Sequence, residues 1–123
     1  MKRYIYLISP QTIRGVKFYK ELHQILKTNK VEYFQLRLKK ISTLNLLKIS
    51  KKIKKLVKKN NVKFLINDRP LIAKAVDSDG CHIGQKDMDF ANSRKILGKN
   101  KIIGVTCHGS KKLALKAKKY GAN

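Results

Sequence analysis

Acidic residues are scarce in this chain: seven against 30 basic ones in 123 residues, for a formal net charge of +23. Cysteine is scarcer still. Cys81 and Cys107 stand alone, neither in a C-x-x-C pair, which excludes a disulfide framework and makes a reducing cytoplasm the expected setting. No apolar run approaches the roughly 20 residues of a membrane span. Behind Lys2-Arg3 the apolar stretch Tyr4 to Ile8 falls short of the ~7–15-residue core of a signal peptide. Both facts argue against membrane insertion and export. Neither G-x-G-x-x-G nor G-x-x-x-x-G-K occurs, so the chain offers no glycine-rich phosphate loop. H-x-x-x-H, a cysteine cluster and G-x-S-x-G are missing too, and zinc and hydrolase-triad chemistry go unsupported.

What is present is enough for one globular domain over residues 1–123: 42% of residues are hydrophobic and 30% charged, a balance that builds a core. Only five of the basic residues are arginine. The densest run, Lys48 to Lys59, places Ile49, Ile53, Leu56 and Val57 on one helical stripe and lysines on the other faces. No aromatic or arginine interrupts it to stack on bases. The run therefore reads as an outer helix packed on a sheet rather than a nucleic-acid surface, with anion attraction as a by-product. A basic α/β module for nucleic acid or another anionic partner remains the alternative.

Apolar, β-favouring runs alternate with amphipathic ones along the whole chain. Strands are expected at Tyr4–Ile8, Val31–Leu38, Val62–Ile66, Gly80–Gly84 and Ile102–Thr106. Between and after them lie helices: one carrying Val16, Tyr19, Leu22, His23, Ile25 and Leu26, then Thr43–Lys59, one opening at Pro70, Phe90–Leu97 closed by Gly98, and Ser110–Tyr120. Five βα units without a linker argue an α/β protein with a parallel sheet. The pattern alone fits an open doubly wound sheet and the first five units of a (β/α)8 barrel, a fold of at least ~200 residues.

The most informative spacing is Gln35, Arg37 and Lys39 at i, i+2 and i+4. They project from one side of the second strand or its extension, opposite Phe34, Leu36 and Leu38. Two cations and an amide at the C-terminal end of a buried strand call for a phosphate or carboxylate partner. Asn67-Asp68-Arg69-Pro70 ends the third strand, and Gly84-Gln85-Lys86-Asp87 follows the fourth. In either architecture these loops gather on one rim. There Asp68 and Asp87 are candidates to share a hard divalent cation such as Mg2+, or each caps a helix. His82 and His23 read as packed histidines. Cys107-His108 does not make a nucleophile–base pair, because adjacent strand residues point to opposite faces.

Four blocks, Gln35-Leu36-Arg37-Leu38-Lys39, Leu65-Ile66-Asn67-Asp68-Arg69, Asp79 to Asp87 and Ile103-Gly104-Val105-Thr106-Cys107-His108, together resemble, in order and spacing, the signatures of the thiamine-phosphate synthase family. The resemblance runs over essentially the whole chain. It implies a (β/α)8 barrel, here its first five βα units. It also implies a cytoplasmic transferase of thiamine biosynthesis that joins 4-amino-2-methyl-5-hydroxymethylpyrimidine diphosphate to a thiazole phosphate, with thiamine phosphate and pyrophosphate as products. By the same resemblance Arg37 and Lys39 hold the diphosphate, with Gln35, Asn67 and Thr106 also on that substrate. Asp68 and Asp87 carry Mg2+, and Thr106 stands where the family commonly has serine. A related thiazole tautomerase is the nearest enzymatic alternative, with His108 the residue it would need.

The chain ends where a sixth strand is expected. Five units cannot close an eight-stranded ring, so the first and fifth strands are expected to expose edges and apolar surface. The isolated 123 residues are expected to be inactive in condensation and prone to aggregate without the rest of the barrel or a complementing chain.

Overall fold

The computed structural model describes residues 2–123. Five strands alternate with five helices: β1 (Ile5–Ile8), α1 (Gly15–Leu26), β2 (Val31–Leu36), α2 (Thr43–Lys59), β3 (Lys63–Asn67), α3 (Pro70–Ala75), β4 (Gly80–Ile83), α4 (Phe90–Leu97), β5 (Ile102–Val105) and α5 (Lys111–Lys119). Two compact units divide the chain, one running through Phe64 and the other from Leu65 to Asn123.

In the first unit β1 lies parallel to β2, with Leu7 opposite Phe34 and Ile8 opposite Gln35. Its core is Leu22 and Leu26 of α1, Phe34 and Leu36 of β2, Leu46, Ile53 and Val57 of α2, and Val62 and Phe64. The Phe34 and Phe64 rings stack with centroids 6.3 Å apart. Helix α2 starts where Ser42 Oγ accepts the Asn45 N–H at 3.2 Å, the usual N-cap bond. Its buried line is Leu46, Ser50, Ile53 and Val57, with Ile49 and Leu56 on the flanks. Of the expected stripe Ile49, Ile53, Leu56 and Val57, the structure buries Ile53 and Val57 and adds Leu46 and Ser50. The difference is Ser50, a small polar residue that turns inward because the helix phase leaves it no outer position. Tyr6, Ile5 and Ile8 of β1 are exposed.

Strand β2 ends two residues earlier than its apolar pattern suggests. The Ser9 N–H donates to Gln35 O at 2.9 Å, and Ser9 Oγ accepts the Arg37 N–H at 2.8 Å. A side chain thus replaces the next ladder bond, and pairing with β1 stops there.

In the second unit β3 pairs with β4 and β4 with β5, all parallel. Leu65, Ile66, Ile72, Ala73, Val76, Cys81, Ile83 and Ile103 form the core. Proline 70 opens α3 as its first residue, where a missing N–H costs nothing. Asp89 Oδ1 caps α4 by accepting the Asn92 N–H at 2.9 Å, and Gly98, at φ 83°, ends it. The β4–β5 approach is so close at Gly80 that a Cβ there would lie 1.9 Å from Ile102 O. Arg94 of α4 donates to the carbonyls of Gly98 and Gly121 and to that of Lys101.

Candidate functional site

The C-terminal ends of β3 and β4 carry the two carboxylates singled out in the sequence. Asn67, nearly buried, pairs with His82 across the two strands. The next residue, Asp68, takes a left-handed backbone (φ 61°) and donates its N–H to His82 O at 2.8 Å. Aspartate tolerates that conformation better than most residues. On the neighbouring strand the Asp87 carboxylate folds back, and its Oδ2 accepts the Gly84 N–H at 2.7 Å. Gly84 permits this because a Cβ would come within 2.8 Å of that oxygen. Asp68 therefore stands one residue past β3, and the Asp87 carboxylate is moored one residue past β4. Since Asn67 pairs with His82, Asp68 stands level with Ile83, and the Gly84 mooring of Asp87 lies one residue further along the neighbouring strand, with adjacent strands about 4.8 Å apart. Among the described residues no three His, Cys, Asp or Glu side chains form a metal cage. Two half-exposed carboxylates are instead a donor set of the kind Mg2+ takes when phosphates and water complete its shell.

One strand further on, Thr106 follows β5 and is held three ways. Its N–H donates to Ile83 O at 2.9 Å, its carbonyl accepts from Gln85 Nε2 at 2.7 Å, and its hydroxyl lies 2.8 Å from His82 Nε2. His82 sits opposite Gly104, where a Cβ would approach its Nδ1 to 2.5 Å. The packed, hydrogen-bonded histidine expected from the sequence is thus present, with a bond the sequence did not disclose.

The two cysteines differ sharply. Burial pushes the Cys81 thiol up to about 12, with Arg94 drawing it partly back and Asp68 adding to the rise. It is an inert core residue. Cys107, half-buried, rests against Val105 O at 3.5 Å, while His108 is exposed at φ 49°. No hydrogen bond joins that pair among the described residues.

In the first unit, Gln35 is the last polar residue inside β2 and is 2% exposed. Its Nε2 donates to the Tyr6 hydroxyl at 2.9 Å, which leaves its amide carbonyl for another partner. Arg37, half-buried, is the first residue beyond the strand, and Lys39 is exposed in the loop that follows. The i, i+2, i+4 argument thus holds inside the strand only for Gln35, and the two cations stand on its extension. Sequence reading missed Ser9 and Tyr6, the residues that hold this end in place. A serine directly after an apolar strand was the available signal for the first.

In each unit βα segments follow one another with polar and charged residues past the strand C-termini, Gln35, Arg37 and Lys39 in the first and Asn67, Asp68 and Asp87 in the second, the pattern of a barrel-enzyme class. The family model described as thiamine monophosphate synthase matches residues 5–123, and the chain belongs to that family. A thiamine-phosphate synthase of Pelagibacter ubique is 58% identical over 122 residues, covering 99% of this chain and 58% of that protein. One from Clostridium acetobutylicum is 39% identical over 96% of this chain and 56% of its own length. The solved thiamine phosphate pyrophosphorylase from Pyrococcus furiosus matches with a TM-score of 0.85 at 29% identity, over 98% of this chain and 57% of that one. The fold is therefore the βα repeat of a (β/α)8 barrel, as the resemblance implied, rather than the open doubly wound sheet. The chain spans a little over half the length of these relatives.

Proposed function

We propose that this chain carries the pyrimidine-diphosphate half of a cytoplasmic thiamine-phosphate synthase, as part of one barrel domain. The substrates would be 4-amino-2-methyl-5-hydroxymethylpyrimidine diphosphate and thiazole phosphate. The observation that carries the reading is the pair of carboxylates at the ends of β3 and β4, Asp87 moored to the Gly84 N–H, on a chain 58% identical to a named synthase.

The donor set fits Mg2+, and Asp68 and Asp87 would hold it. Bound there, the ion would neutralise charge on the diphosphate as that group leaves. By the family resemblance, Arg37 and Lys39 would bring positive charge to the diphosphate. Gln35 and Asn67 offer buried amides to the pyrimidine end, and the Thr106 hydroxyl offers one further polar contact. The bond that breaks joins the pyrimidine methylene to the diphosphate oxygen, which leaves with the electron pair. The electron-rich ring stabilises the methylene cation until the thiazole nitrogen supplies the pair for the new C–N bond. That sequence asks for charge neutralisation and exclusion of water rather than a strong general base, and this set of residues contains no acid/base pair. The βα units that the longer relatives possess would supply the thiazole-phosphate site, in the same polypeptide or from a complementing chain.

Calorimetric titration of the chain with pyrophosphate in Mg2+ tests the reading. Binding is expected, and it should be lost with Asp68→Ala or Asp87→Ala and weakened about tenfold or more by Arg37→Ala, the scale of a charge-assisted contact. Metal-independent binding that survives all three substitutions would refute it.

A further inference from the structure

We propose that His82 is a positioning residue that sets the polarity of the Thr106 hydroxyl, with its Nε2–H donating to Thr106 Oγ1 so that the hydroxyl proton is left to point at an anionic ligand oxygen. The inference rests on the diphosphate reading above and deepens it.

The argument starts from the two partners of a hydroxyl. Thr106 has one proton and two acceptor positions. Its backbone is already committed, the N–H to Ile83 O and the carbonyl to Gln85 Nε2. That leaves the side chain as the group free to choose a direction, and His82 Nε2 stands 2.8 Å from its oxygen. If that nitrogen accepted, the hydroxyl proton would be spent on the ring and only lone pairs would face the rim. Lone pairs repel a diphosphate oxygen. If the nitrogen donates, the proton is released toward the rim, where an anion needs a donor.

The seat of the ring is built for one position. His82 lies opposite Gly104 in the β4–β5 register, and a Cβ at Gly104 would lie 2.5 Å from Nδ1, 3.3 Å from Cε1 and 3.4 Å from Cγ. Any side chain at position 104 would push the imidazole off Thr106. The glycine on one strand, the histidine on its neighbour and the hydroxyl two residues past the glycine thus form one device. The main-chain bond from Asp68 N–H to His82 O ties it to the adjacent carboxylate-bearing turn.

Two measurements on the 123-residue chain test this. In the unliganded chain, long-range 1H–15N correlation of the histidine ring is expected to show His82 as the Nε2–H tautomer, with its Nε2 resonance moving in Thr106→Val but not in Thr106→Ser. The Nδ1–H tautomer, or a resonance indifferent to Thr106→Val, would overturn the proposal. Titration with pyrophosphate in Mg2+ then reads the coupling. His82→Phe and Thr106→Val should each weaken binding by about three- to tenfold, the worth of one hydrogen bond. The double variant should be no worse than the weaker single one, and His82→Gln, whose amide N–H reaches the same place, should restore binding. Additive losses, or full affinity in His82→Phe, would refute the proposal while leaving the diphosphate reading intact. Failure of the unsubstituted chain to bind pyrophosphate would refute that reading and this proposal with it. Unchanged melting temperature in His82→Gln separates the effect from loss of fold.

Discussion

Replacing Gly84 by alanine isolates the mooring of Asp87. The added Cβ would lie 2.8 Å from Asp87 Oδ2 and 3.9 Å from its Cγ, and no backbone atom stands in its way. Gly84 is not in the left-handed region, so alanine fits the main chain there. The element that must yield is a short side chain, and it can yield by rotating about its own bonds. The 2.7 Å bond from the Gly84 N–H is then lost. A hydrogen bond to a charged group contributes about 1.5–3 kcal/mol, but water can reach the half-exposed amide and return part of that. Stability should therefore fall by no more than about 1 kcal/mol, a few degrees in Tm for a chain of this size. The functional cost should be larger, because a carboxylate freed to sample several rotamers no longer meets a cation in one place. An affinity loss of about tenfold for Mg2+ with pyrophosphate, ~1.4 kcal/mol, is the expected reading by calorimetry. In an Asp87→Ala background, Gly84→Ala should do nothing further, since the group it displaces is gone. Unchanged affinity in a folded Gly84→Ala variant, or an additive loss in the double variant, would refute the reasoning.

Three further outcomes follow from the packing. Gly80→Ala puts a methyl 1.9 Å from a backbone carbonyl that cannot rotate away, so β4 and β5 must part; a loss of about 3 kcal/mol or more is expected in thermal or urea unfolding. Ser50→Ala should be neutral or stabilise by up to about 1 kcal/mol, because the buried Ser50 hydroxyl has no hydrogen-bond partner and alanine is the better helix former. Iodoacetamide at pH 8 should alkylate Cys107 and spare Cys81 until the chain unfolds, as mass mapping of the labelled peptides would show. Because Cys81 in the folded chain is raised to about 12, folding retains a proton that the unfolded chain gives up near its ordinary ~8.5. The contribution of Cys81 is present below that value and lost as pH rises toward 12, so Cys81→Ala should flatten the alkaline limb of the stability profile.

Helices were the most legible elements, and the reason is local. The spans Thr43–Lys59 and Phe90–Leu97 are observed as expected, since Ser42 and Asp89 cap them and Gly98 ends one from within a few residues of sequence. The end of β2 was not legible, because it depends on a serine hydroxyl 28 residues away. Ser50 was hidden for a different reason: hydrophobic periodicity counts only apolar names, and this fully buried residue is polar. For the site, the place of Gln35 within β2 followed from alternation, and those of Asn67 and Asp68 at the end of β3 and of Asp87 in the loop after β4 followed from where the apolar runs stop. The roles of Gly80, Gly84 and Gly104 did not, since an absent Cβ has meaning only against the atom it would strike. The Gly84–Asp87 turn spans three residues and was within reach of local reading. The His82–Thr106 bond crosses 24 residues and was not.

None of the described lysines is buried, and the long lysine run of α2 rides on a helix whose inward line is Leu46, Ser50, Ile53 and Val57. The outer helical faces can therefore carry a heavy load of lysine without touching a strand end. The rim has no such latitude, because Gly84 and Gly104 must stay without side chains for Asp87 and His82 to stand where they do. Two tolerances to substitution are thus built into one short chain, a wide one on the outer helical faces and a narrow one that answers to van der Waals radii at the ends of β4 and β5.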